Sequence, residues 1–76
     1  MNMQNLKLIN ARFLAGYKNQ LDLGLEVGIS GAAIGYYEKG KSKPTIYTIL
    51  KLAKGLKISP TECFQLFLSD EELLTN

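Results

Sequence analysis

The feature that most constrains this chain is the run from residue 20 to residue 45, QLDLGLEVGISGAAIGYYEKGKSKPT. Gly24 is followed by Gly28, and the apolar Ile34 comes six positions after that. Two short helices that cross at a tight turn require this order. A small residue lets the helices approach, a glycine turns the chain, and an apolar residue anchors the second helix. The spacing therefore predicts a pair of helices joined by a turn within residues 20–39.

Capping residues and apolar periodicity predict an all-α chain with five helices. The predicted helices cover residues 4–15, 20–27, 31–39, 46–55 and about 60–68. The expected N-caps are Asn19, Ser30 and Thr45, and Gly16 and Gly40 are expected to end the first and third helices. We expect one compact domain over residues 1–68, followed by an acidic tail or short helical turn over residues 69–76.

Capping boxes and apolar stripes refine this prediction. Ser59 and Glu62 form a box that begins the fifth helix, and Ser69 and Glu72 form a second box before a final turn. Cys63 is expected to be a small buried hydrophobe. The other residues expected to face the core are Leu6, Ile9, Phe13, Leu14, Leu23, Val27, Ala33, Ile34, Tyr37, Ile46, Ile49, Leu50 and Ala53.

Composition excludes several classes of protein. The chain has 76 residues, of which 46% are hydrophobic and 21% are charged, as in an ordinary small globular domain. No apolar run is long enough to cross a membrane, and residues 1–4 do not resemble a signal peptide. One cysteine and no histidine argue against a disulfide framework, a zinc site and an enzyme. We expect a cytoplasmic protein without a metal or cofactor.

Charge divides the chain into two unequal parts. Residues 1–57 carry nine basic and three acidic side chains, whereas residues 58–76 carry four acidic side chains and no basic one. Opposite charges favour different partners. The basic part suits phosphates, and the acidic, apolar C-terminal part suits contact with protein.

In this order of residues the sequence resembles the lambda-repressor-like (Cro/XRE-type) helix-turn-helix family of bacterial and phage regulators. The resemblance covers about residues 6–64. It depends on Gln20, Leu23, Gly24, Gly28, Ile29, Ser30, Ile34, Glu38, Gly40, Pro44 and the apolar pattern over residues 50–56. It implies a five-helix DNA-binding domain that regulates transcription, most simply as a repressor, by inserting helix 31–39 into the major groove.

The resemblance also implies which residues contact double-stranded DNA. The base-reading residues would be Gly31, Ala32, Gly35 and Tyr36, all expected to face outward with Lys39. This surface lacks the arginine that reads guanine and the glutamine or asparagine that reads adenine. Either the small residues allow close approach and leave discrimination to methyl contacts and DNA shape, or the helix has lost strong readout.

Backbone contacts and an internal ion pair follow from the same resemblance. The residues expected near phosphates are Lys18, Asn19, Gln20, Ser30, Lys39, Lys41 and Lys43. Arg12 and Glu38 match a pair that holds the recognition helix against the first helix. The alternative is that Arg12 is only a solvated helix residue.

Apolar residues outside the expected core indicate protein partners. Leu21 and Leu25 lie four positions apart on the second helix and are expected to be exposed. The C-terminal residues expected at a homodimer interface are Phe64, Phe67, Leu68 and Leu73. The alternative function is therefore a protein-interaction module on a helix-turn-helix scaffold that binds another regulator, including an antitoxin-like role.

Overall fold

The computed structural model describes residues 4–74, which form six helices and no β-strand. The helices are α1 (Leu6–Leu14), α2 (Gln20–Val27), α3 (Gly31–Glu38), α4 (Ile46–Leu56), α5 (Pro60–Gln65) and α6 (Asp70–Leu74). The all-α prediction is confirmed. Residues 1–3 of the predicted domain (1–68) and residues 75–76 of the predicted tail (69–76) lie outside the described residues. No helix within residues 4–74 has the length and apolar character needed to cross a membrane.

Side-chain caps fix where the first five helices begin. The predicted caps Asn19, Ser30, Thr45 and Ser59 each accept a hydrogen bond from a backbone N–H three residues ahead, and Asn5 does the same for α1. Each such cap stabilises a helix by about 1 kcal/mol. Both predicted capping boxes are present, because the backbone N–H of Ser69 also donates to Glu72 Oε1 at 2.8 Å.

The core is a single cluster of small and medium-sized apolar residues, namely Leu8, Leu23, Ile34, Ile49, Leu52, Ala53, Leu56 and Cys63. Cys63 is fully buried, as predicted. Burial raises the pKa of its thiol to about 11, so the thiol stays protonated near neutral pH and is a poor nucleophile.

The face of α1 that was predicted to be buried is mostly exposed. On α1 the exposed fractions of Leu6, Phe13 and Leu14 are 63%, 55% and 88%, whereas Leu8 and Arg12 are buried. Apolar residues surround α1, so periodicity did not determine which side faces inward. The side was decided instead by contacts between Arg12 and distant parts of the chain.

The same ambiguity affects α4. Ile46 and Leu50 were expected in the core but are 59% and 45% exposed. The face that packs inward consists of Ile49, Leu52, Ala53 and Leu56. Because α4 also has apolar residues on several sides, its packing against α2 and α5 selects the buried stripe.

Glycines allow α2 to pack closely against the turn and α4. A side chain at Gly24 would collide with the carbonyl oxygen of Ile29, and one at Gly55 would collide with Val27. Gly28 ends α2 in the left-handed conformation, with φ of 75°. These contacts position α3 relative to the rest of the domain.

Candidate nucleic-acid interface

The end of α3 is held by a buried ion pair. Arg12 Nε lies 2.7 Å from Glu38 Oε2, and the two side chains are only 7% and 4% exposed. Arg12 also donates to Glu38 Oε1 at 3.4 Å and to the carbonyl oxygen of Tyr17 at 3.0 Å. The pair implied by the resemblance is therefore present, and Arg12 is not a solvated residue.

Gln20 joins this ion pair from α2. Its Nε2 donates to Glu38 Oε1 at 3.0 Å, and the side chain is half-buried. Arg12 of α1 and Gln20 of α2 thus both donate to the single carboxylate of Glu38 on α3. Among the described residues, no buried side-chain nitrogen or oxygen lacks a hydrogen-bond partner. The network fixes the orientation of the three helices relative to one another.

Gly35 does not face outward as predicted. It is buried, and a Cβ at this position would lie 3.0 Å from Gln20 Oε1. The prediction failed because glycine has no side chain whose polarity indicates a face, and the side of α3 at residue 35 packs against α2. Gly31 is half-buried over Leu21.

The outward face of α3 is therefore smaller than predicted. It presents Ala32, the half-exposed Tyr36 and, at the end of the helix, Lys39. The exposed Lys41 and Lys43 follow in the next loop. The exposed face consequently combines a methyl group, a phenol and three ammonium groups.

This face belongs to a stretch with an unusual charge distribution. Between Val27 and Thr61 the only carboxylate is Glu38, which is buried and paired with Arg12. The same stretch contains six lysines, all exposed: Lys39, Lys41, Lys43, Lys51, Lys54 and Lys57. This stretch accordingly exposes basic side chains and no acidic one, which favours a polyanion.

Comparison with known proteins identifies the family. The model of a family described as helix-turn-helix matches residues 11–63, which contain all of α2, α3 and α4. The chain belongs to this family. Its members of the Cro/C1-like type are DNA-binding transcription regulators. A comparison with curated proteins gave no match.

Two solved structures are similar to this helix-turn-helix protein. The restriction-modification controller protein C.AhdI from Aeromonas hydrophila has a TM-score of 0.72 and 32% identity, covering 79% of this chain and 86% of its own. The DNA-binding domain of the P22 C2 repressor has a TM-score of 0.72 and 31% identity, covering 91% of this chain and 92% of its own. Both support the all-α fold.

The remaining residues expected near phosphates lie at the starts of the two helices of this motif. Lys18 and Asn19 are exposed before α2, and Ser30 is exposed before α3. Asn19 Oδ1 and Ser30 Oγ each accept a backbone hydrogen bond as caps. Their oxygens are therefore engaged within the protein, while the Asn19 amide N–H groups remain as donors.

Sequence reasoning missed the position of α6. A groove of about 440 Å³ separates loop residues 40–43 from residues 66–72. Lys7 Nζ lies 3.1 Å from Asp70 Oδ1 and ties α6 to α1. Hydrogen bonds with Ser69, and then the positive charge of Lys43, lower the pKa of Glu72. From the sequence, the opposite charges of these two segments were assigned to different partners, and it was not predicted that the segments are neighbours.

The apolar C-terminal residues have different environments. Phe67 is partly buried and packs edge to face against Tyr37, with ring centroids 6.1 Å apart. Leu68 and Leu73 are half-buried, while Phe64 is 46% exposed. On α2, Leu21 and Leu25 are exposed as predicted.

Proposed function

We propose that this helix-turn-helix protein represses transcription in the cytoplasm of a bacterium by covering a promoter, with α3 inserted into the major groove of the operator. The observation that carries this proposal is the outward face of α3. It presents Ala32 and Tyr36 beside a lysine-rich loop, on a stretch whose only carboxylate is buried. Such a surface attracts the phosphate backbone and leaves small groups free to approach bases.

Readout of bases would depend on few direct contacts. The methyl group of Ala32 suits a thymine methyl group, and the hydroxyl of Tyr36 can donate to or accept from a base edge. Gly31 is half-buried and allows close approach of the backbone. Because this face has no arginine, glutamine or asparagine, we expect DNA shape to supply much of the discrimination.

Positioning on the duplex would come from phosphate contacts around this face. We propose the same residues as the sequence analysis, with lysines attracting phosphates and the starts of α2 and α3 contributing polar groups: Lys18, Asn19, Gln20, Ser30, Lys39, Lys41 and Lys43. Contacts of this kind fix the register of the protein and make binding depend on salt.

The similar structures support this function. One is described as a repressor DNA-binding domain and the other as a restriction-modification controller protein. Their identities of 31–32% over at least 79% of this chain make a regulatory role the natural assignment.

We further propose a homodimer formed by the C-terminal end. Phe64 is about half exposed and lies four positions before the half-buried Leu68. Leu74 is 85% exposed and directly follows the half-buried Leu73. A two-fold dimer would place two copies of α3 on half-sites about 34 Å apart, one turn of DNA. Phe67 contributes less to this interface than the sequence suggested, because its ring already contacts Tyr37.

Selection from a random pool of duplexes at two salt concentrations tests the proposal. We expect enrichment of a palindrome with half-sites about one helical turn apart and weaker binding at the higher salt concentration. The Tyr36→Ala variant should change which bases are enriched. Absence of any enrichment would favour the protein-interaction module, with exposed Leu21 and Leu25 on α2 as its first candidate surface.

A further inference from the structure

The side-chain amide of Gln20 has a fixed orientation. Its Nε2 faces Glu38 Oε1 at 3.0 Å, and Glu38 is held on its other side by Arg12 at 2.7 Å. An ionised carboxylate only accepts hydrogen bonds, so the nitrogen of the amide, rather than its oxygen, must face Glu38. One of the two N–H groups is thereby used inside the protein, and the other remains available.

Gly35 forms the surface on which this amide lies. A Cβ at residue 35 would be 3.0 Å from Gln20 Oε1, 3.6 Å from Cδ and 3.8 Å from Nε2. The carboxamide group therefore lies directly against this position, and only Oε1 is closer than an ordinary van der Waals contact. A methyl group there would displace Oε1 by a few tenths of an ångström, which turns the amide and changes the contact between Nε2 and Glu38.

A glycine at this position needs a reason beyond chain geometry. Gly35 lies inside a helix of eight residues, and its φ is not positive. Alanine is a better helix former than glycine in the interior of a helix. The conformation of α3 therefore permits alanine, and the contact with Gln20 is what disfavours it.

We propose that Gly35 is a positioning residue for DNA binding, although it is buried. By having no side chain, it lets the Gln20 amide lie flat between α2 and α3, bonded to Glu38, with its second N–H available to a phosphate oxygen of the duplex. This inference rests on the proposed function, because it assumes that Gln20 contacts DNA. It adds a specific role for a residue that the sequence had placed among the base readers.

A double-mutant cycle tests the proposal. The variants are Gly35→Ala, Gln20→Ala and the two together, each titrated with a mixed-sequence duplex and with the duplex enriched from the random pool. We expect Gly35→Ala to weaken binding of both duplexes about tenfold, as for one hydrogen bond to a charged group. In the Gln20→Ala background the same change should alter affinity by less than about twofold.

Two further readouts separate positioning from damage to the fold. The melting temperature of Gly35→Ala should equal or exceed that of the unsubstituted protein, because alanine favours the helix. In ¹⁵N NMR spectra without DNA, the Gln20 side-chain amide signals should shift in Gly35→Ala, because the Nε2–Glu38 contact changes.

Three results would overturn the proposal. They are unchanged affinity in Gly35→Ala, an equal loss of affinity in the Gln20→Ala background, and Gln20 amide signals that do not respond to Gly35→Ala. If the unsubstituted protein binds neither duplex while the amide signals do shift, the proposed function fails and the positioning of Gln20 by Gly35 stands without a role in DNA binding. The NMR measurement thus distinguishes the two failures.

Discussion

The centre of this molecule and its C-terminal end are built in different ways. At the centre, α2 and α3 are fixed by a shared carboxylate and by glycines that admit no side chain without a collision or a tight contact. At the C-terminal end, α5 and α6 span only six and five residues, and Cys63 is their one buried residue. The central pair has a surface determined by steric fit, whereas the C-terminal pair leaves apolar and acidic groups exposed. The first arrangement suits a rigid ligand such as a duplex, and the second suits a protein that can supply the missing contacts.

The largest expected effect is the loss of stability when the carboxylate of Glu38 is removed from the centre. Glu38→Ala leaves the guanidinium of Arg12 buried without its partner and should lower the free energy of unfolding by about 3–5 kcal/mol. Urea denaturation followed by circular dichroism measures this change. Glu26→Ala removes an exposed carboxylate from the neighbouring helix and should stay within about 0.5 kcal/mol. Equal effects of the two substitutions would show that the buried pair does not hold the centre together.

A smaller loss of stability is expected when a side chain is added at Gly24, between α2 and the turn. Gly24→Ala places a methyl group against the carbonyl oxygen of Ile29, which must move, so we expect destabilisation of about 1–3 kcal/mol. Gly31→Ala is the matched control for stability, because its Cβ would meet Leu21 at an ordinary 3.4 Å. Thermal unfolding of both variants compares them, and an unchanged melting temperature for Gly24→Ala would contradict the assigned contact.

Charge removal next to α3 should affect binding rather than folding. Lys41→Ala combined with Lys43→Ala should weaken binding to all duplexes and reduce the slope of log affinity against log salt by about 1–2, as for two phosphate contacts. Lys51→Ala with Lys54→Ala removes the same charge from the exposed side of α4. If both pairs reduce the slope equally, the loop is only part of a diffuse positive field and not a phosphate site.

The smallest expected effect is on DNA affinity, and it tests whether α6 at the C-terminal end influences the lysine loop after α3. Glu72 lies near Lys43, so Glu72→Gln should raise affinity for duplexes by about twofold at low salt and less at high salt. Glu62→Gln is a close control, because both residues occupy the same position of a capping box. Fluorescence titrations of the two variants provide the test. An equal gain would mean that only net charge matters and that α6 does not influence the loop.

Local features of the fold were predictable because they depend on neighbouring residues. The caps at Asn19, Ser30 and Ser59 and the limits of α2 follow from signals within a few positions of each helix end. The ion pair between residues 12 and 38 was reached through resemblance, since no local signal joins side chains 26 positions apart.

The remainder depended on packing that a single sequence does not encode locally. α1 and α4 have apolar residues on several sides, so tertiary contacts select their buried faces. The prediction failed for most of α1 and for Ile46 and Leu50 of α4, whereas Ile49 and Ala53 are buried as predicted. Gly35 was misplaced because the absence of a side chain gives no hydrophobic signal, and its face is defined by Gln20 on another helix. The approach of α6 to the lysine loop is likewise a contact between distant segments.

The burial of Glu38 links the integrity of the fold to the charge of its surface. While the network is closed, the stretch from Val27 to Thr61 exposes lysines and no carboxylate. A copy whose first helix has come loose would release that carboxylate at the end of the helix proposed to enter the groove, where phosphates repel it. Molecules damaged in this way would then bind the proposed operator more weakly because of charge repulsion. The operator would therefore be occupied mainly by intact molecules.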